Sequence, residues 1–69
     1  MLGKVKWFNN EKGYGFIVID DLEDIFVHYS VIDAKGYKTL KEGEEVVLEY
    51  FKSSKGLQAS FVAKLEDNN

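Results

Sequence analysis

With 69 residues and no cysteine, the chain predicts a single domain, residues 1–69, in a reducing cytoplasmic compartment, and excludes disulfide bonds and thiolate metal sites. No apolar run reaches the roughly 18 residues of a membrane span, and the first residues lack the order of a signal peptide, so we expect neither. The net charge of −3 disfavours a strongly anionic partner unless the basic residues are clustered.

Three β-rich segments occupy the first thirty residues. Residues 4–8 combine valine, aromatic residues and lysine, and the turn-forming residues 9–13 follow them. Residues 14–19 and 25–29 are again rich in β-branched and aromatic side chains, and the charged segment 20–24 separates them. The pattern predicts three consecutive strands.

The second half of the chain predicts a long loop and two more strands. Residues 30–44 contain two glycines and no sustained period, which indicates a loop. Strands are expected at residues 45–52 and 57–65, joined by a turn at residues 53–56. Five strands without a convincing helix predict an all-β fold, and a closed barrel is favoured because closure removes exposed sheet edges.

The second and third predicted strands separate aliphatic from aromatic side chains, because successive side chains alternate across a strand. A barrel this small has room for one interior, which the aliphatic set would fill, so the rings should lie outside as a binding surface. The expected inner set is Ile17, Ile19, Ile25 and Val27, whose face Tyr29 shares by alternation, and the expected outer face carries Tyr14, Phe16, Val18, Phe26 and His28.

Lysines are interleaved with aromatic residues near the first strand. Lys4 and Lys6 lie beside Trp7 and Phe8, and Lys12 precedes the second strand. Rings that stack on bases, with cations that meet the phosphates, are typical of single-strand nucleic-acid binding. Strict alternation places Trp7 and Phe8 on opposite faces, so either one of them is buried or the strand is bulged there.

His28 is the single histidine, and a zinc site usually needs four ligands. We therefore expect no metal and no cofactor, and we assign His28 a stacking or hydrogen-bonding role on the aromatic face. The acids of segment 20–24 lack a neighbouring nucleophile motif and are expected to be solvated. The chain is accordingly not expected to be an enzyme.

Residues 12–17, KGYGFI, match most of the ribonucleoprotein signature of basic, glycine, aromatic, glycine, aromatic and aliphatic residues. Three further segments accompany it: 3–9 (GKVKWFN), 24–30 (DIFVHYS) and 56–59 (GLQA). Together, and with nearly unbroken spacing from end to end, they closely resemble the bacterial cold-shock proteins.

The resemblance implies a five-stranded antiparallel oligonucleotide-binding (OB-fold) barrel that binds single-stranded RNA and DNA, often at pyrimidine-rich stretches. It also implies RNA-chaperone activity and regulation of transcription, by antitermination, and of translation. We expect a monomer. By matched position, the resemblance implies binding residues at Lys4, Lys6, Trp7, Phe8, Asn9, Lys12, Tyr14, Phe16, Phe26, His28, Tyr29, Tyr37 and Lys55.

The chain departs from the family pattern at a few positions. Tyr14, Tyr29 and Tyr37 stand where family members often have phenylalanine, which keeps the ring for stacking. Leu57 stands where the family commonly has proline. An alternative function is a protein-interaction barrel that uses the same aromatic patch; the acidic balance favours it, and the interleaved lysines speak against it. An RNA-recognition motif would need two helices and a longer chain.

Overall fold

The computed structural model describes residues 1–20, 22–33 and 38–65. These residues form six strands and one short 3₁₀ turn, Tyr29–Val31, and include no helix that is long and apolar enough to cross a membrane. The strands are β1 (Leu2–Asn9), β2 (Tyr14–Val18), β3 (Ile25–His28), β4 (Ile32–Asp33), β5 (Glu45–Ser53) and β6 (Gly56–Lys64).

The five longer strands close into a barrel. β1 pairs with β2 and with β5, β2 pairs with β3, and β5 pairs with β6, all antiparallel. The ring is completed by a parallel pairing of β3 with β6, in which Ile25 is registered with Leu57. The predicted five-stranded OB-fold barrel is thus confirmed, with one parallel closing pair among antiparallel ladders.

The segment that follows residue 28 differs from the prediction. The predicted loop 30–44 contains β4, whose two residues pair in parallel with β6, Ile32 with Val62; such a long-range pairing leaves no local sequence pattern. The third strand ends at His28, and Tyr29 begins the 3₁₀ turn. The alternation that puts Tyr29 on the face of Ile25 and Val27 therefore does not extend to this residue, whose side chain is 47% exposed.

The core consists of aliphatic side chains. Ile17, Ile25 and Val27 are fully buried, as predicted, whereas Ile19 is only partly buried and packs against the edge of the core. Among the described residues no aromatic, polar or charged side chain is buried. The inner set is Val5, Ile17, Ile25, Val27, Ile32, Leu40, Val46, Leu48, Ala59 and Val62. Phe8 and Tyr50 pack against this core but are only partly buried.

Candidate nucleic-acid interface

A bulge in β1 sets the direction of its aromatic side chains. Val5 is registered with Ile17 and Trp7 with Phe16, so Lys6 is the extra residue on β1. Trp7 therefore shares the outer face with Phe16. Phe8 lies opposite Gly15 and packs against the core. The alternative left open by the sequence is thereby resolved: the bulge precedes Trp7, so Trp7 and Phe8 still face opposite sides, and Phe8 is the partly buried one.

Four outer rings from β1, β2 and β3 contact one another in a closed square. Trp7 lies 5.9 Å from Tyr14 and 5.5 Å from Phe16, measured between ring centroids. Phe26 lies 6.0 Å from Tyr14 and 5.8 Å from Phe16. These separations fall in the favourable range for aromatic pairs, so each ring is held by two neighbours. We name Trp7, Tyr14, Phe16 and Phe26 the aromatic platform.

His28 and Tyr29 extend the aromatic platform at the end of β3. His28 is registered with Tyr14, and its ring centroid lies 4.6 Å from that of Tyr29. His28 Nδ1 accepts a hydrogen bond from the Ser30 amide at 3.2 Å and lies 2.9 Å from Ser30 Oγ. In the neutral ring this acceptor role puts the proton on Nε2. His28 therefore presents an N–H donor beside the rings.

Two glycines allow the close approaches that this surface needs. Gly13 has φ +80°, and a Cβ there would lie 2.4 Å from Tyr29 Cδ2. A Cβ at Gly15 would lie 2.2 Å from the carbonyl oxygen of Trp7. Both distances are far below van der Waals contact, so the ring of Tyr29 and the backbone of β1 occupy space that any other residue would fill.

Asn9 builds the turn that leads from β1 to β2. Its Oδ1 accepts hydrogen bonds from the amides of Glu11, at 3.0 Å, and Lys12, at 2.8 Å. Its carbonyl oxygen accepts from the amide of Gly13 at 2.7 Å. Asn9, a predicted binding residue, thus orders the turn that presents the exposed side chain of Lys12 next to β2.

The predicted basic residues have different surroundings. Lys6 Nζ lies 2.8 Å from Asp24 Oδ2, in an ion pair between partly exposed groups. Lys4 is registered with Val18 of β2 and with Glu45 of β5, and it lines a pocket with Asp20. Lys55 lies in the β5–β6 turn. Exposed ion pairs contribute little to stability, so Asp24 chiefly reduces the positive charge available at Lys6.

A groove of about 720 Å³ adjoins the aromatic platform on the side of β6. Its lining includes Phe16 and Phe26 of the aromatic platform and Lys55 and Gln58 of the β5–β6 hairpin. Asp24 also lines it. Sequence reasoning missed Gln58 and Asp24 as site residues, although both belong to segments that carry the family resemblance.

The structure brings together six of the thirteen predicted binding residues. Trp7, Tyr14, Phe16 and Phe26 form one surface, with His28 and Tyr29 at its edge. Lys4, Phe8 and Asn9 lie outside it, and Tyr37 lies outside the described residues. The described part of the chain has no group of three or more His, Asp or Glu side chains arranged for a metal ion.

Comparison with known proteins gives consistent matches over the whole barrel. The family model of the 'Cold-shock' DNA-binding domain matches residues 1–65. Cold shock-like protein CspB of Bacillus cereus is 57% identical over 65 residues, covering 94% of this chain and 100% of that protein. Cold shock protein CspD of Bacillus subtilis is 56% identical over 63 residues, covering 91% and 96%. The cold shock-like protein of Thermotoga maritima is 53% identical over 66 residues, covering 96% and 100%.

Proposed function

The chain belongs to the cold-shock domain family of nucleic-acid-binding proteins, and we propose that it binds single-stranded RNA and DNA by stacking bases on the aromatic platform. One observation carries this proposal. Four rings are held together on the outer face of a barrel whose core is complete without them. Rings that a fold does not need for its core are typical of a binding surface.

The chemistry of the surface suits unpaired bases. A base stacked on an aromatic ring gains about 1–3 kcal/mol with little regard to sequence. Bases inside a duplex are already stacked and paired, so their faces are closed to the platform. Lys12, in the turn before β2, and Lys55, in the β5–β6 turn, would meet phosphates. The Nε2–H of His28 would donate to a base edge.

The negative net charge predicts that stacking supplies more of the affinity than phosphate contacts do. The chain carries nine basic and twelve acidic side chains, and Lys6 is paired with Asp24. Since the slope of log K against log salt reports the number of neutralised phosphates, we expect a shallow slope. We expect a preference for pyrimidine-rich strands, in line with the family resemblance.

Selective binding of unpaired bases is itself the mechanism of an RNA chaperone. A ligand that binds only the open form of an RNA hairpin shifts the equilibrium towards that form by mass action, without nucleotide hydrolysis. Opening of terminator hairpins and of structured leader sequences would regulate transcription, by antitermination, and translation. We propose that the protein performs this role as a cytoplasmic monomer and catalyses no reaction.

A protein-interaction barrel is the second candidate function. It is favoured by the net charge of −3 and by the ion pair that holds Lys6, both of which oppose a polyanion. In this case the aromatic platform would bind an extended, basic peptide.

Titration of Trp7 fluorescence with a short oligothymidine, alone and as its duplex, tests the proposal. Trp7 is the single tryptophan and belongs to the aromatic platform, so a stacked base should quench it directly. We expect saturable quenching by the single strand and a much weaker response to the duplex. Equal responses to both, or no quenching at all, would contradict the proposal and favour the peptide-binding alternative.

A further inference from the structure

A single row of outward side chains continues from the aromatic platform around the barrel. Trp7 is registered with Phe16, and Phe16 with Phe26. Across the parallel closure Phe26 is registered with Gln58, which is registered in turn with Phe51 of β5. Registered residues on neighbouring strands share a face and lie about 5 Å apart. The row therefore crosses all five barrel strands.

Phe51 ends this row with an exposed ring. Its neighbour Tyr50 packs against the core, whereas Phe51 points outward and is 46% exposed. The core therefore does not account for this ring. Single exposed apolar side chains are common on protein surfaces, and Phe51 differs from the others in being registered, through Gln58, with Phe26 of the aromatic platform.

The surface between Phe26 and Phe51 is polar and carries an amide that can hydrogen-bond to a base and lysines that can contact phosphates. Gln58, between the two rings in the row, has an amide that both donates and accepts hydrogen bonds to base edges. Lys55 also lines the groove, and the exposed Lys52 directly follows Phe51. The acids of the groove are Glu23 and Asp24, of which Asp24 is paired with Lys6.

We infer that Phe51 is a further base-stacking site, reached by a single strand that leaves the aromatic platform at Phe26 and passes Gln58. The inference rests on the proposed function and adds a second binding segment to it. Short strands fill the aromatic platform alone, and longer strands also engage Phe51. Full affinity therefore requires a strand long enough to reach from Trp7 to Phe51.

Phe61 offers a matched control on the same hairpin. Its ring is 38% exposed and faces outward, but it is registered with Glu49 and lies off the row. The carboxylate of Glu49 would repel a phosphate at that position. Replacement of Phe61 by alanine removes a similar apolar surface from β6 without shortening the row.

The test compares Phe51→Ala and Phe61→Ala with the unaltered protein. Affinity is measured by quenching of Trp7 fluorescence with oligothymidines of about 4 and about 9 nucleotides, which lie within the site sizes of OB folds. We expect Phe51→Ala to weaken the longer strand about tenfold, the loss of one stacked base. We expect an unchanged affinity for the shorter strand. Phe61→Ala should leave both affinities unchanged, and circular dichroism should show the same fold in all three proteins.

A second variant reports on stacking at this position directly. In the double variant Trp7→Phe, Phe51→Trp the single tryptophan is moved to the end of the row. The longer strand should quench its fluorescence, and the shorter strand should not.

The possible negative results distinguish failure of single-strand binding from failure of the role assigned to Phe51. If the unaltered protein binds neither strand, the proposed function fails and this inference with it. If the unaltered protein binds both strands but Phe51→Ala does so equally well, only the role of Phe51 is overturned. If Phe51→Ala abolishes a dimer seen by sedimentation while oligothymidine affinity is unchanged, the exposed ring belongs to an interface between two copies, and the inference is again overturned.

Discussion

The inner and outer faces of the β1–β3 sheet are made by consecutive residues of the same strands, yet they have opposite characters. Ile17 and Val27 point inward and are fully buried, whereas Phe16 and Phe26 point outward and contact mainly other rings. The inner contacts are needed to form the barrel. The outer rings are ordered by the barrel but add nothing to its core. Stability and binding should therefore respond to different substitutions.

The largest effect is expected from a substitution on the inner face. Ile17→Ala removes a fully buried side chain and should reduce the free energy of unfolding by about 2–5 kcal/mol. Urea denaturation followed by circular dichroism measures this loss. Ile17→Val, which removes one methylene group, should lose only about 0.5–1.5 kcal/mol. A negligible loss in Ile17→Ala would show that the inner face does not hold the barrel together.

Gly13→Ala should reduce both the stability of the barrel and its affinity for oligothymidine, because Gly13 contacts Tyr29 and its carbonyl oxygen accepts a hydrogen bond from the Tyr29 amide. The new Cβ would lie 2.4 Å from Tyr29 Cδ2 at a position with φ +80°, and strain of this kind costs about 1–3 kcal/mol. Gly43→Ala is the matched control, with φ +85° but no atom within 4 Å of the new Cβ. Stability should fall in both variants, and oligothymidine affinity in Gly13→Ala alone. Equal oligothymidine affinities in Gly13→Ala and Gly43→Ala would show that the position of Tyr29 does not matter for binding.

Phe26→Ala tests the outer face, where a substitution should reduce binding more than stability. It removes a ring that contacts Tyr14 and Phe16 and should weaken oligothymidine binding by about 1–3 kcal/mol. The free energy of unfolding should change less than in Ile17→Ala, since no core cavity is created. Fluorescence titration and urea denaturation give the two values. Unchanged affinity in both Phe26→Ala and Phe16→Ala would refute stacking on the aromatic platform.

The smallest effect is expected at the ion pair of Lys6 and Asp24. Asp24→Asn releases Lys6 from its partner at 2.8 Å, while stability should change by at most about 1 kcal/mol, as for other exposed pairs. Binding should become more dependent on salt, with the slope of log K against log salt steeper by about 0.7 for one more phosphate contact. In a Lys6→Ala background the same substitution should leave the slope unchanged. If Asp24→Asn also steepened the slope in the Lys6→Ala background, the effect would come from the change in net charge alone.

The alternation of side chains was sufficient to predict the two faces of β2 and β3. Phe16 and Ile17 lie where a period of two puts them, because the ladder between these strands is regular from Tyr14 to Ile17. The barrel followed from the number of strands and from the missing helices. These features depend on local patterns, which a sequence contains directly.

Features that depend on distant contacts were not predictable in the same way. The bulge at Lys6 decides which of Trp7 and Phe8 points outward, and it is defined by the register with β2. The turn at Tyr29 is tied to the first turn by a hydrogen bond from the Tyr29 amide to the Gly13 carbonyl oxygen at 2.8 Å, and β4 exists through its pairing with β6. The ion pair that holds Lys6 joins residues eighteen positions apart. In each case the deciding partner lies outside the segment whose conformation it fixes.

The most direct test of the account is to follow the aromatic and methyl proton resonances of the protein by NMR during titration with oligothymidine. The account predicts large shifts for the ring protons of Trp7, Tyr14, Phe16 and Phe26, because stacked bases impose ring currents on them, and only small shifts for the methyl protons of Val5 and Ile17 on the inner face. Saturable binding that leaves the four rings unshifted would contradict it, and the site of binding would have to be sought on another surface of the barrel.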